Sequence, residues 1–113
     1  MIRLSDFIEA TASKNLTGAI DPQAVEISGG YVCDMLSDVM GSARPGQAWI
    51  TIMKHLNSVA VASMAGIPAI IIAKGFAPDA AVIEKAEAEN VCLISSELDT
   101  FSLAGTLYQM LNS

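Results

Sequence analysis

Hydrophobic and polar positions along the chain switch repeatedly between two periods. Leu4, Phe7 and Ile8 recur at helical spacing, with Ser5 or Asp6 placed to cap them, so a short helix is predicted near residues 5–12. Asn15 to Ile20 reads as a short extended piece or turn. Val25-Glu26-Ile27 alternates and Gly29-Gly30-Tyr31-Val32-Cys33 continues extended, which predicts one strand near 25–33. Its paired glycines point to a bulge or a close backbone approach. Asp34 to Met40 reads as a short helix ended by Gly41 and Pro45.

The second half is more regular. Gln47 to Met53 predicts a buried strand, Ile50 and Ile52 on one face, Trp49, Thr51 and Met53 on the other. Asn57 to Ala65 predicts an apolar helix stopped by Gly66. Ala69-Ile70-Ile71-Ile72 is continuously apolar, as a strand covered on both faces must be. After a loop at Lys74 to Pro78, Asp79 to Asn90 predicts an exposed amphipathic helix with Val82, Ile83 and Ala86 inward and Asn90 as a left-handed cap. Val91 to Ile94 predicts a strand and Ser96 to Leu111 a final helix. Ser96-Glu97-Leu98-Asp99 has the form of a capping box. Its inner face is read as Leu98, Phe101, Leu103, Leu107, Tyr108 and Leu111. Gly105 costs about 1 kcal/mol against alanine there, which close packing on the sheet would offset.

Strands and helices thus alternate after a leading helix. Right-handed crossovers turn that order into a mostly parallel α/β sheet of four to five strands with helices on both faces. The 113 residues match one domain, 1–113.

Composition sharpens this. Apolar residues are 52%, charged residues 16%, and mean hydropathy is +0.47, which excludes a disordered tail. The longest uncharged run, Leu56 to Ala73, approaches the roughly 20 residues of a membrane helix. Gly66-Ile67-Pro68 cuts it into two soluble elements, so no membrane association is expected. The N-terminus Met1-Ile2-Arg3-Leu4 lacks a secretory pattern. Net charge of −6 argues against nucleic acid and anionic lipid surfaces. Cys33 and Cys92 have no metal or CxxC spacing and read as buried free thiols of a reducing cytoplasm. No metal and no cofactor are implied.

In such sheets ligands bind beyond the carboxyl ends of the strands. Lys54 and Ser58 fall there, and the candidate ligand residues are Asp34, Asp38, His55, Asn57, Lys74, Gly75, Ser95 and Ser96. Asp34 and Asp38, four apart on one helix face, hold a cation or ligand hydroxyl, or else one caps the helix and the other is solvated. His55, the only histidine, contacts a phosphate or carbonyl, or makes a structural hydrogen bond. Asn57 caps the following helix, whose start also suits an anion. Lys74-Gly75 meets a phosphate, or is a solvated lysine beside a turn glycine. Ser95 and Ser96 read mainly as caps. No P-loop, dinucleotide fingerprint or nucleophile elbow is present, so no catalytic set is complete.

Several segments in order resemble one family. Gly30-Tyr31-Val32-Cys33-Asp34-Met35-Leu36-Ser37-Asp38-Val39-Met40 resembles the Gly-Tyr-Val-x-Asp-Leu-Leu-Ser-Asp-Val-Met segment of DRTGG-domain proteins. Trp49-Ile50-Thr51-Ile52, His55 and Asn57 resemble its Trp-Ile-Thr-Ile-x-x-His-x-Asn. Gly75, Pro78 and Asp79 fit its Gly-Arg-x-Pro-Asp without the arginine, and Phe101, Leu103-Ala104-Gly105 and Leu107-Tyr108 fit its last helix. The name-giving pentapeptide is absent, Ser28-Gly29-Gly30 being the nearest remnant.

The resemblance implies a stand-alone form of a domain otherwise found beside CBS domains in regulated pyrophosphatases and in long phosphotransacetylases. It implies a fold similar to the N-terminal domain of the kinase of the histidine-containing phosphocarrier protein, without that kinase's P-loop. Three functional readings follow. The first is a non-catalytic regulatory domain, a homodimer, sensing a nucleotide or other small anionic metabolite. The second is an interaction subunit docking onto a redox (hydrogenase-type) or metabolic enzyme complex, with Trp49 and the six methionines as contact surface. The third is a small phosphoryl-transfer or hydrolytic enzyme using Asp34, Asp38 and His55.

Overall fold

The computed structural model describes all residues, Met1 to Ser113. In chain order the elements are β1 (Ile2–Arg3), α1 (Leu4–Thr11), β2 (Lys14–Asn15), a 3-10 turn (Pro22–Ala24), β3 (Glu26–Ile27), β4 (Gly29–Val32), α2 (Leu36–Ser42), β5 (Gln47–Thr51), α3 (Leu56–Ala65), β6 (Ala69–Ile72), α4 (Ala80–Ala88), β7 (Cys92–Ser95) and α5 (Thr100–Leu111). The main sheet has the order β2-β7-β6-β5-β4. Strands β4 to β7 are parallel, and β2 pairs antiparallel with β7. The expected mostly parallel α/β sheet is therefore present, with five strands.

Because β4 to β7 lie in sequence order, their three right-handed crossovers all pass over the same face. Tyr31, Trp49, Ile70 and Leu93 form one register row across the sheet. Trp49, Ile70 and Leu93 are buried on that face against Val39 of α2, Val59 and Ala62 of α3, and Val82 and Ala86 of α4. The next row, Val32, Ile50, Ile71 and Ile94, turns to the opposite face. There Ile50, Ile71 and Ile94 pack with Leu4 and Phe7 of α1 and Leu103 and Leu107 of α5. Side chains that alternate across two covered faces explain why the central strands are apolar throughout. No helix is long and apolar enough to cross a membrane.

Several boundaries differ from the sequence pattern. The single strand expected over 25–33 is two. Glu26–Ile27 pairs with Ile2–Arg3 in a separate ribbon, and the chain re-enters the main sheet at Gly29 after the Ser28 amide donates to Gly46. Neither Ser5 nor Asp6 caps α1, which starts at Leu4 with no side-chain cap. Helix α5 starts at Thr100, capped by the Asp99 carboxylate accepting from the Ser102 amide at 2.8 Å, so Ser96 lies outside it.

The inner face of that helix is narrower than expected. Leu103 and Leu107 are buried, whereas Phe101 is 85% and Tyr108 72% exposed, and Leu98 lies in the exposed preceding loop. Gly105 is open, with nothing near its missing Cβ, so packing does not offset its helix cost. Gly66 and Asn90 take the expected left-handed conformations, φ 75° and 57°.

Candidate functional site

The parallel strands β4 to β7 end along one edge, and all eight candidate residues follow or close those ends. The structure sorts them into three groups with different chemistry.

The first group surrounds the aspartates. Asp34 precedes α2 and does not cap it, because the N-cap position falls on Met35. Its Oδ1 accepts from the Thr51 hydroxyl at 2.6 Å and the Ile52 amide at 3.0 Å, tying the end of β4 to β5. Asp38, in the first turn of α2, accepts from the Tyr31 hydroxyl at 2.6 Å and the Cys33 thiol at 3.2 Å. The two carboxylates do not share a helix face, and each has its own donors. The Tyr31 bond holds the Asp38 carboxyl below its ordinary value, and the same bond holds the Tyr31 hydroxyl above its own. Burial and then the hydrogen bond to Asp38 raise the Cys33 thiol, which lowers its thiolate fraction and reactivity. Cys33 is half-buried rather than buried, while Cys92 is buried as expected. No three His, Cys, Asp or Glu side chains gather closely enough to hold a metal ion.

The second group is an open cavity of about 350 Å³ lined by Lys54, His55, Leu56, Asn57, Asp79, Ala81 and Val82. It lies between the amino ends of α3 and α4. His55 occupies the N-cap position of α3 but supplies no side-chain cap. Asn57 does not cap either, because the helix begins one residue earlier than its pattern suggests and places Asn57 in the first turn. A helix start without a side-chain cap retains amide donors and the positive end of the helix dipole. Lys54, which the sequence pattern placed nearby without singling it out, lines the cavity and sits 5.6 Å from the Phe76 ring centroid. Ser58, one residue beyond Asn57, is 2% exposed and its hydroxyl has no hydrogen-bond partner. Nothing in the sequence marks that orphan group, because a serine in an apolar helix ordinarily hides its hydroxyl against the helix's own backbone.

The third group closes a crevice. Strand β6 leads into α4 on one face and β7 into α5 on the other, so the gap between their ends is where an open α/β sheet ordinarily takes a ligand. Here two backbone bonds zip it shut. The Lys74 amide donates to Leu98 O at 2.9 Å and the Gly75 amide to Ser96 O at 2.7 Å. Both residues take positive φ, 63° and 71°, to make this turn. A Cβ on Gly75 would stand 2.6 Å from a Glu97 carboxylate oxygen. Ser95 donates to Phe76 O, and buried Ser96 accepts from the Leu98 amide. The amides of Lys74 and Gly75 are spent on this loop, which removes the phosphate cradle.

Trp49 is also not a contact residue. It is fully buried, and its indole N–H donates to Cys33 O at 2.7 Å.

The arrangement has parallels. Among solved structures, the chain is similar to the regulatory region of Clostridium perfringens pyrophosphatase, whose crystal structure comprises its CBS and DRTGG domains complexed with the activator diadenosine tetraphosphate. The TM-score is 0.71 at 16% identity, over 95% of this chain and 46% of that one. The chain therefore spans about half the length of that relative, and the likeness is one of fold. No curated protein matches the chain. The family model of the DRTGG domain matches residues 6–110, and the chain belongs to the DRTGG domain family.

Proposed function

We propose that the chain is a non-catalytic regulatory domain that senses a small anionic ligand of the nucleotide class at the amino end of α3. The observation that carries this is the convergence of Lys54, His55 and Asn57 on one open cavity beside an uncapped helix start. A cation, a ring N–H, a side-chain amide and free helix amides all suit a phosphate. Asp79 on the same cavity repels phosphate but accepts from ribose hydroxyls, so it favours a nucleotide over a bare anion. The cavity lies at the small end of ligand sites, which run to roughly 300–1,000 Å³.

Membership of the DRTGG family supports a regulatory role, as does a similar fold in a regulatory region crystallised with a dinucleotide activator. The reading includes a reducing cytoplasm and a homodimer. The enzymatic alternative is weaker, because the cavity that His55 lines contains neither Asp34 nor Asp38. Docking onto a redox complex loses its aromatic anchor with Trp49 in the core.

Thermal denaturation with adenosine mono-, di- and triphosphates and diadenosine tetraphosphate tests the reading. A ligand at about 100 times its Kd adds about 2.7 kcal/mol, a rise of about 10 °C for a domain this size. That rise is expected in the wild type and in Asp34→Ala, and is lost in His55→Ala and Lys54→Ala. No rise with any nucleotide, or equal rises in all variants, overturns it.

A further inference from the structure

The sheet has one open edge whose strand contains no charged residue. Strand β4 is the outermost strand, with β5 on one side and no strand on the other. The Cys33 amide donates inward to Ile50 O, which sets the alternation of the strand. By that alternation the N–H and C=O groups of Gly30 and Val32 point outward from the sheet. Gly30 is exposed and Val32 is 52% exposed, so nothing covers them. Natural edges are ordinarily blunted by Lys, Pro or an inward charge, and Gly29 to Val32 contains none of these.

An apolar surface adjoins this edge. Val32 and Ile50 form a groove with Ala104, Tyr108 and Leu111 of α5. Phe101 and Tyr108 lie at helical spacing on one stripe of α5, and the whole helix, Thr100–Leu111, has no charged residue. The chain carries a net charge of −6, so an uncharged helix face is where two copies meet with little repulsion.

We propose that two copies of this chain associate through this edge, with β4 pairing antiparallel to the partner's β4 about a two-fold axis at Tyr31. Gly30 then faces the partner's Val32, and each pair exchanges two backbone hydrogen bonds. The five-stranded sheet becomes a continuous ten-stranded one. The α5 stripes come together on one face, and Tyr31 meets the partner's Tyr31 on the other. An isologous contact of this kind needs only self-complementarity, which an outward Gly30-Tyr31-Val32 edge has. Phe101 and Tyr108 expose about 300 Å² per copy at 150–250 Å² for a whole aromatic side chain. Two copies supply about half of the roughly 1,200 Å² that a stable interface requires, and the strands and groove supply the remainder. This deepens the homodimer part of the proposed function and is independent of its ligand site.

Sedimentation equilibrium on the full chain tests it. The wild type is expected to be dimeric and Val32→Lys monomeric with an unchanged circular dichroism spectrum. Tyr31→Cys places two thiols across the axis at the close, non-hydrogen-bonded position and is expected to form a covalent dimer on mild oxidation, whereas Glu84→Cys on α4 does not. A monomeric wild type overturns both the homodimer and this surface. A dimer that survives Val32→Lys, or the absence of a Tyr31→Cys crosslink in a dimeric sample, overturns the surface alone.

Discussion

Gly30 lies directly beneath Leu107: a Cβ built on the glycine would stand 2.7 Å from the leucine Cδ2. This contact brings α5 down onto β4, and it is the physical content of the paired glycines in the strand. Leu107 is buried, so it has little room to retreat. Gly30→Ala is expected to cost about 1–3 kcal/mol by overpacking. Leu107→Ala, which leaves a hole, costs about 2–5 kcal/mol. The double variant is expected to cost clearly less than the sum, because the added methyl enters the vacated space. Urea denaturation of the four proteins measures the coupling. Strict additivity would show that the two residues do not meet.

Gly105 makes the opposite case. It sits inside α5 with no atom within 4 Å of its missing Cβ. Gly105→Ala is expected to stabilise the fold by up to about 1 kcal/mol through helix propensity. The comparison belongs in the Val32→Lys background, where the thermal midpoint reports folding without association. A loss of stability there would mean that a side chain at 105 meets something in the monomer.

The Tyr31–Asp38 bond gives the fold a pH signature at both ends. The folded Asp38 carboxyl titrates below its ordinary 3.8, so its contribution is complete above that value and lost as pH falls through the lowered folded value. Tyr31 titrates above its ordinary 10.0, so its contribution is present below that value and lost as pH rises through the raised folded one. In the Val32→Lys background, the gap in thermal midpoint between the proteins with Tyr31 and with Tyr31→Phe is therefore expected to be flat between about pH 5 and 9 and to narrow outside it. A gap that persists unchanged at pH 2 would separate the tyrosine from the carboxylate. Asp38 is exposed and Tyr31 only half-buried, so the effect is small and declines with salt.

The fold was legible where one physical signal dominated. Ala69 to Ile72 could only be a doubly covered strand, and Gly66 and Asn90 marked helix ends because so few residues accept positive φ. Errors arose where two signals overlapped. Val25 to Cys33 looked continuous because extended residues on both sides of Ser28 share one pattern, although they join different sheets. Phe101 and Tyr108 share the size and apolar character of core residues, yet Leu103 and Leu107 define the buried stripe. An uncharged helix gives hydropathy no contrast with which to choose a face.

The candidate site was legible only as an edge. Strand order placed the eight polar residues together, but which of them are spent on local structure depends on backbone details. The backbone amides of Lys74 and Gly75 are consumed by two bonds to a loop over twenty residues away, and no local pattern announces that. His55 and Asn57 remain open because α3 starts one residue early. Lys54 joined them through the cavity rather than through any motif.

Ser58 offers the sharpest test of whether that cavity was shaped for a ligand. Its hydroxyl is buried without a partner, at the start of the helix whose uncapped end the cavity exposes. Leaving a polar atom unsatisfied costs about 1–3 kcal/mol. Ser58→Ala removes that penalty and improves helix propensity, so the ligand-free protein is expected to gain about 1 kcal/mol. The nucleotide-induced rise in thermal midpoint is expected to shrink in the same variant, because the hydroxyl next to the cavity is lost as a donor to a phosphate at this helix start. Thermal denaturation with and without nucleotide measures both quantities on one sample. A variant that gains stability and keeps the full nucleotide response would make Ser58 a packing defect with no part in recognition. A variant that loses stability without ligand would show that the hydroxyl already has a partner in the free protein.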